Sequence, residues 1–168
     1  MSFNQIFIMS CVATAALLQS EVVNAQEEEE YHLLALDLSN EARAMHHVGP
    51  LFMSDELNQM AQMCAQWYAD QGGWFNHPNN IAHTCPFRGD AGEKKQYARE
   101  LWYAEVDKYK FNGDFDVNSG HFTQMVWAAS RLFGFGLSSN TNGVVVGVAL
   151  YTPKGNILTQ FQQNVFPA

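Results

Sequence analysis

Two side chains in this chain have the type and setting to do chemistry: the imidazole of His121 and the carboxylate of Glu105. His121 lies in Gly120-His121-Phe122-Thr123-Gln124-Met125-Val126-Trp127, where Phe122, Met125 and Val126 recur at i, i+3 and i+4. That spacing predicts a short buried helix, which Asn118 or Ser119 is expected to cap by accepting a backbone N–H. A titratable ring in its first turn needs a partner, because a buried polar group left unpaired costs about 1–3 kcal/mol. From position alone, a core histidine bonded to a backbone carbonyl is the simpler reading. Glu105 follows Leu101 by four residues and Trp102 by three, so it shares their inward side of a predicted helix. A carboxylate there must be paired, metal-bound or protonated, since isolated burial of its charge is prohibitive.

The elements that must position these groups are legible as periodic stretches. A first helix is predicted from Glu30 to His47, with Leu34, Leu38, Ala42 and Met45 near one apolar face and Gly49-Pro50 as its stop. A second begins at Ser54 or Asp55, carries the stripe Leu57, Ala61, Cys64 and Tyr68, and ends at Gly72-Gly73. Met60 and Met63 read as core filling. Residues 74–92 form a loop rich in Asn, Pro, Gly and His, and a third helix spans roughly 93–109, burying Tyr97, Leu101, Val106 and Tyr109. After the 120–127 helix come strands Leu132–Leu137 and Val144–Tyr151, joined by the hairpin signal Asn140-Thr141-Asn142-Gly143. Val144 to Val148 reads as buried on both faces. Helices followed by antiparallel strands give the α+β class.

Composition sets the outer bounds. Of 168 residues, 47% are hydrophobic and 13% aromatic, enough for one globular domain with a real core. A net charge of −8 argues against nucleic acid and against attraction to an anionic membrane surface. No apolar run reaches the roughly 20 residues that span a bilayer. Ile6 to Leu18 is an apolar block followed by Val23-Asn24-Ala25, which reads as a secretory signal peptide cleaved after Ala25. Its n-region carries no Lys or Arg, and a retained anchor is the alternative. Glu21 is the only charged side chain in 1–25, so cleavage would move the charge from −8 to −7. The product, residues 26–168, would be one secreted, extracellular domain. It keeps Cys64 and Cys85, a disulfide candidate in an oxidising compartment that would stabilise the fold by roughly 3 kcal/mol. A buried free Cys64 on its helix face is the equal alternative. Neither cysteine has the neighbours of a catalytic thiol or a Cys-x-x-Cys zinc site.

Gly120-His121-Phe122-Thr123-Gln124-Met125-Val126-Trp127 resembles a signature of the CAP superfamily, the cysteine-rich secretory, antigen 5 and pathogenesis-related proteins. Tyr151-Thr152-Pro153-Lys154-Gly155-Asn156 is similar to that family's Tyr-x-Pro-x-Gly-Asn, in the expected order and spacing. The tail Phe161-Gln162-Gln163-Asn164-Val165-Phe166-Pro167 resembles the Golgi-associated plant pathogenesis-related branch. The resemblance implies an α-β-α sandwich, a central antiparallel sheet flanked by helices. It also implies a cleft lined by two histidines and two glutamates that holds zinc in some members. His121 matches one histidine, and Glu105 in Trp102-Tyr103-Ala104-Glu105 matches the family's Trp-Tyr-x-Glu. Phe75-Asn76-His77 fits the Phe-x-His context of the other histidine, with His83 as second choice. The Gly-Glu-Asn glutamate has only Gly92-Glu93-Lys94 as a counterpart, with a shortened interval to Trp102. Either Glu93 fills that role or the ligand is lost, and loss is favoured. Ser39-Asn40-x-x-Arg43-x-x-His46 resembles the family's His-Asn-x-x-Arg-x-x-His with Ser39 in place of the first histidine, and His46 there is a structural hydrogen-bonding residue.

Two imidazoles, His77 and His121, with a carboxylate can hold Zn²⁺ and leave a fourth position open. That would also suit metal-assisted hydrolysis. No His-Glu-x-x-His helix is present, and neither Ser119 nor Thr123 sits on a nucleophile elbow. The leading expectation is therefore a non-enzymatic binding protein, and the resemblance implies a lipid or sterol, or a protein target in defence or host interaction, as what it binds. A zinc-dependent hydrolase or protease is the alternative. Self-association as a homodimer is a third role that the resemblance brings.

Overall fold

In the computed structural model, the described residues are 28–70, 102–111, 114–141, 143 and 145–168. The chain divides into two compact units, 1–31 and 32–168. Of the first unit only residues 28–31 are described, and they are helical. The second contains every element discussed below.

Its first helix, α1, covers residues 32–45. Ala42 is fully buried as expected, but Leu34 and Leu38 are only partly covered and Met45 is 41% exposed. The buried face is largely polar instead: Ser39, Arg43 and His46. The expected apolar stripe is displaced because this face meets backbone carbonyls at Arg43 and aromatic rings at His46. The stop differs too. His47 adopts a left-handed φ of 59°, its N–H donates to the Ala44 carbonyl and the Val48 N–H to that of Arg43. This is the Schellman arrangement, closed by a histidine two residues before Gly49.

A short strand, β1 (Phe52–Met53), leads into α2 (Asp55–Asp70). Ser54 caps α2 as expected, its hydroxyl 3.4 Å from the Leu57 N–H. Strands β2 (Leu132–Ser139) and β3 (Val145–Thr152) form the anticipated hairpin, with Leu132 opposite Thr152 and Ser139 opposite Val145. Gly143 sits in the turn at φ +76°, its N–H donating to the Asn140 carbonyl at 3.1 Å. Val145 to Tyr151 are all buried. The sheet is nonetheless mixed rather than antiparallel, because β1 pairs with β2 in parallel. Two residues after a proline carry no strand periodicity, so that pairing has no sequence signal.

Helix α2 lies directly on the hairpin. A Cβ on Gly134 would stand 2.2 Å from the Leu57 carbonyl carbon, and one on Gly136 2.3 Å from that of Ala61. The two glycines therefore set how closely helix and sheet approach. Ala61, Cys64, Ala65, Tyr68 and Ala69 pack there against Val146, Val148 and Leu150, with Leu57 and Met60 at the margin. Met63, expected in the core, is 67% exposed, since it falls on the outer side of the helix. Past the end of β1, α2 also serves the open edge of β2. Asn58 Oδ1 accepts the Phe135 N–H at 3.0 Å, and Gln62 accepts the Leu137 N–H at 2.9 Å while donating to its carbonyl at 3.0 Å. Helical residues four apart match strand residues two apart in length, about 6 against 6.8 Å. The helix thus covers an edge that would otherwise present unpaired backbone.

Cys64 is a buried free thiol, the second of its two expected states, and burial pushes its pKa up. Cys85 lies outside the described residues.

Candidate functional site

Trp102 to Ala104 are helical, α3 over its described residues 102–104, and the chain tightens into a 3₁₀ turn over Glu105–Lys108. The rest of the expected 93–109 helix, including Tyr97 and Leu101, lies outside the described residues. Val106 is partly covered. Tyr109 is buried among the rings of Phe111, Phe122 and Phe161.

A 3₁₀ turn, Val117–Ser119, leads directly into α4 (Gly120–Met125). Neither Asn118 nor Ser119 caps α4. The Ser119 hydroxyl donates back to the Asp116 carbonyl, and Asn118 donates its backbone and side-chain N–H groups to the Asp116 carboxylate. That backbone bond, then the side-chain bond, holds the Asp116 carboxyl below its ordinary pKa. The cap on α4 comes from Glu105, sixteen residues before His121. Its Oε2 accepts the N–H of His121 at 2.9 Å and of Phe122 at 3.2 Å.

The other oxygen, Oε1, lies 2.6 Å from His121 Nδ1. Glu105 and His121 are 14% and 22% exposed at their side chains, so the contact is largely shielded. The partner of His121 is thus a carboxylate, not the backbone carbonyl expected from position alone. Among the described residues, no arginine or lysine pairs with Glu105. Because the carboxylate accepts, Nδ1 carries the proton in the neutral ring and the lone pair lies on Nε2. One face of the imidazole is stacked on Trp102, with centroids 5.5 Å apart and planes 5° apart.

The two sequence signatures meet around this turn. Asn156, at a left-handed φ of 52°, donates to the Gly120 carbonyl at 2.8 Å and accepts the Thr123 hydroxyl at 2.7 Å. Gln124 Oε1 accepts the Gly155 N–H at 2.9 Å. A Cβ on Gly155 would stand 2.6 Å from Trp127 Cγ. The Thr152–Pro153 bond before them is cis, and the Pro153 carbonyl accepts from Ser130. The hydroxyls of Ser119 and Thr123 therefore donate to neighbouring oxygens rather than to His121.

Behind the site, α1 and the turn that follows it supply two buried polar side chains. The Arg43 guanidinium donates to the carbonyls of Gly49, Met125, Trp127 and Ser130 at 2.7–3.1 Å. Burial pushes its pKa down to about 10, with Tyr151 opposing and Arg131 adding to the shift. Arg43 stays charged at neutral pH. His46 Nδ1 donates to the Phe166 carbonyl at 2.6 Å, leaving Nε2 to accept from Tyr103 Oη at 3.2 Å. His46 has the structural hydrogen-bonding role expected of it. The importance of Arg43 and the stack of Trp102 have no periodic signal. A hint for Arg43 is a cation on the same helical side as Ala42 and His46.

His77, Glu93 and the second-choice His83 lie outside the described residues. Among the described residues no group of three or more His, Cys, Asp or Glu is placed to hold a metal ion. The donor chemistry present still fits part of such a site: His121 can offer Nε2, while both Glu105 oxygens are committed to His121 and Phe122. Also among the described residues, no helix is long and apolar enough to cross a membrane.

Comparison with known proteins extends the match beyond these motifs. The chain is 31% identical over 145 residues to human Golgi-associated plant pathogenesis-related protein 1, covering 83% of this chain and 94% of that protein. It is 30% identical to the basic form of pathogenesis-related protein 1 of Nicotiana tabacum, covering 91% and 85%. The crystal structure of NaASP2 with Zn²⁺ superimposes with a TM-score of 0.63 at 18% identity, covering 83% of this chain and 86% of that one, a likeness of fold. Residues 36–151 match the sequence pattern of the cysteine-rich secretory protein family. With two signatures interlocked in space and a family match over most of its length, the chain belongs to the cysteine-rich secretory protein (CAP) family.

Proposed function

We propose that this chain is a secreted CAP domain, residues 26–168 after loss of the signal peptide 1–25, that acts by binding. Its ligand is a lipid or sterol, or a protein target, and a homodimer is part of the same reading. The layering we read is an α-β-α sandwich with the antiparallel hairpin at its centre. Two observations support it: α2 rests on Gly134 and Gly136, and Tyr151 lies close to Ser39 and Arg43 of α1.

The binding cleft would be lined by His77, Glu93, Glu105 and His121. His77 and His121 would hold Zn²⁺ there, where the ion would act as a Lewis acid or anchor a ligand atom. The observation that carries this reading is the 2.6 Å contact between Glu105 and His121 Nδ1, which sets the neutral tautomer with the lone pair on Nε2. A carboxylate behind a histidine raises its basicity and fixes its orientation, and removing such a partner typically weakens metal binding about 10–100-fold. Glu105 is then the residue that prepares His121 rather than a ligand itself.

Zinc calorimetry on the wild type, His77→Ala and His121→Ala tests it. Wild type should bind, and each variant should bind more weakly or not at all. Equal affinity in all three, or none in any, removes zinc from the reading. Turnover of an ester or peptide that disappears when the metal is stripped would instead mark a zinc-dependent hydrolase.

A further inference from the structure

Trp102 and Glu105 stand three residues apart across one turn, so both reach the same neighbour. That neighbour is His121, and they grip it differently. Glu105 takes the ring's edge at Nδ1 and the backbone N–H beside it. Trp102 takes a face, with its indole nearly parallel to the imidazole. Trp102 is itself only 6% exposed, so it forms a fixed wall.

We propose that Trp102 is a positioning residue for His121, holding the plane of the imidazole and with it the direction of Nε2. A single hydrogen bond at Nδ1 constrains one edge and tolerates rocking of the ring about its bond to Cβ. A flat aromatic face at stacking distance removes that freedom, because tilting either ring forfeits the offset contact. Edge and face together leave one orientation. The inference deepens the zinc reading above, on which only its metal measurement rests; the ring's orientation stands apart from it.

The test separates the two. In metal-free wild-type protein at one fixed pH, the His121 Cδ2 and Cε1 protons should resonate upfield in NMR spectra, shielded by the indole ring. Trp102→Leu keeps apolar bulk without a π face and should return them downfield. Trp102→Phe keeps an aromatic face and should retain part of the shift. In zinc calorimetry, Trp102→Leu should bind about tenfold more weakly, with Trp102→Phe near wild type. Unshifted His121 protons in the wild type overturn the proposal even if no variant folds. So does a Trp102→Leu protein with wild-type shifts or wild-type zinc affinity. A wild type that shows the shielding but binds no zinc ends the zinc reading and leaves Trp102 as the residue that orients the ring.

Discussion

Two regions of this domain are held together by different physics. Where α2 meets the hairpin, the contact is small and apolar: alanines against valines, with two glycines letting helix backbone touch strand. Around α4, aromatic packing of Phe122 and Trp127 is joined by buried polar groups. Arg43 gathers four carbonyls, Glu105 caps a helix from a distance, and Gln124 and Asn156 stitch one signature to the other. Apolar packing is tolerant of which residue supplies the area, whereas each polar partner is specific. The polar region is therefore the one built to hold side chains in defined orientations, which a binding site requires.

If the polar region is as specific as this, removing its hub should cost most. Arg43→Met keeps the length and loses every donor, leaving four carbonyls short at about 1–3 kcal/mol each, not additively. We expect at least ~4 kcal/mol from urea unfolding. A loss near 1 kcal/mol would mean those carbonyls find other donors, and the contrast between the regions would dissolve.

The apolar region should yield less, and through overlap rather than lost bonds. Gly136→Ala puts a Cβ about 2.3 Å from α2 backbone, so the helix must move. Overpacking of this kind costs about 1–3 kcal/mol. An unchanged midpoint would show that α2 slides freely on the sheet and that its seat is not fixed by the glycines.

The smallest effect is chemical. Burial raises the Cys64 thiol above its ordinary value, so little thiolate forms at pH 8 and alkylation should await unfolding. The linkage has a sign: with the folded value raised, the unfolded chain ionises first, and stability declines as pH climbs past the ordinary thiol pKa. Rapid labelling of native protein would place Cys64 in a loose, wetted part of the apolar region.

What the sequence by itself determined follows from this division. Elements that bury hydrocarbon announce themselves by period: α2 with Ala61, Cys64 and Tyr68, the run from Val145 to Tyr151, and Phe122, Met125 and Val126 in α4 and its exit. The turn at Gly143 and the cap at Ser54 are local, so nearby residue types sufficed. The pairing of Glu105 with His121 was partly visible, since an inward carboxylate has to find a partner, and the family resemblance supplied which one. Only the tertiary structure decided that Arg43 reaches the carbonyls behind α4, that Asn58 and Gln62 close a sheet edge, and that β1 lies parallel to β2. It also decided that the cap on α4 comes from Glu105 rather than Asn118 or Ser119. The physical reason is common to all four. A hydrogen bond is settled by atoms a few ångströms apart in space, and when those atoms belong to segments 16 to 87 residues apart, no local pattern in the chain records the match.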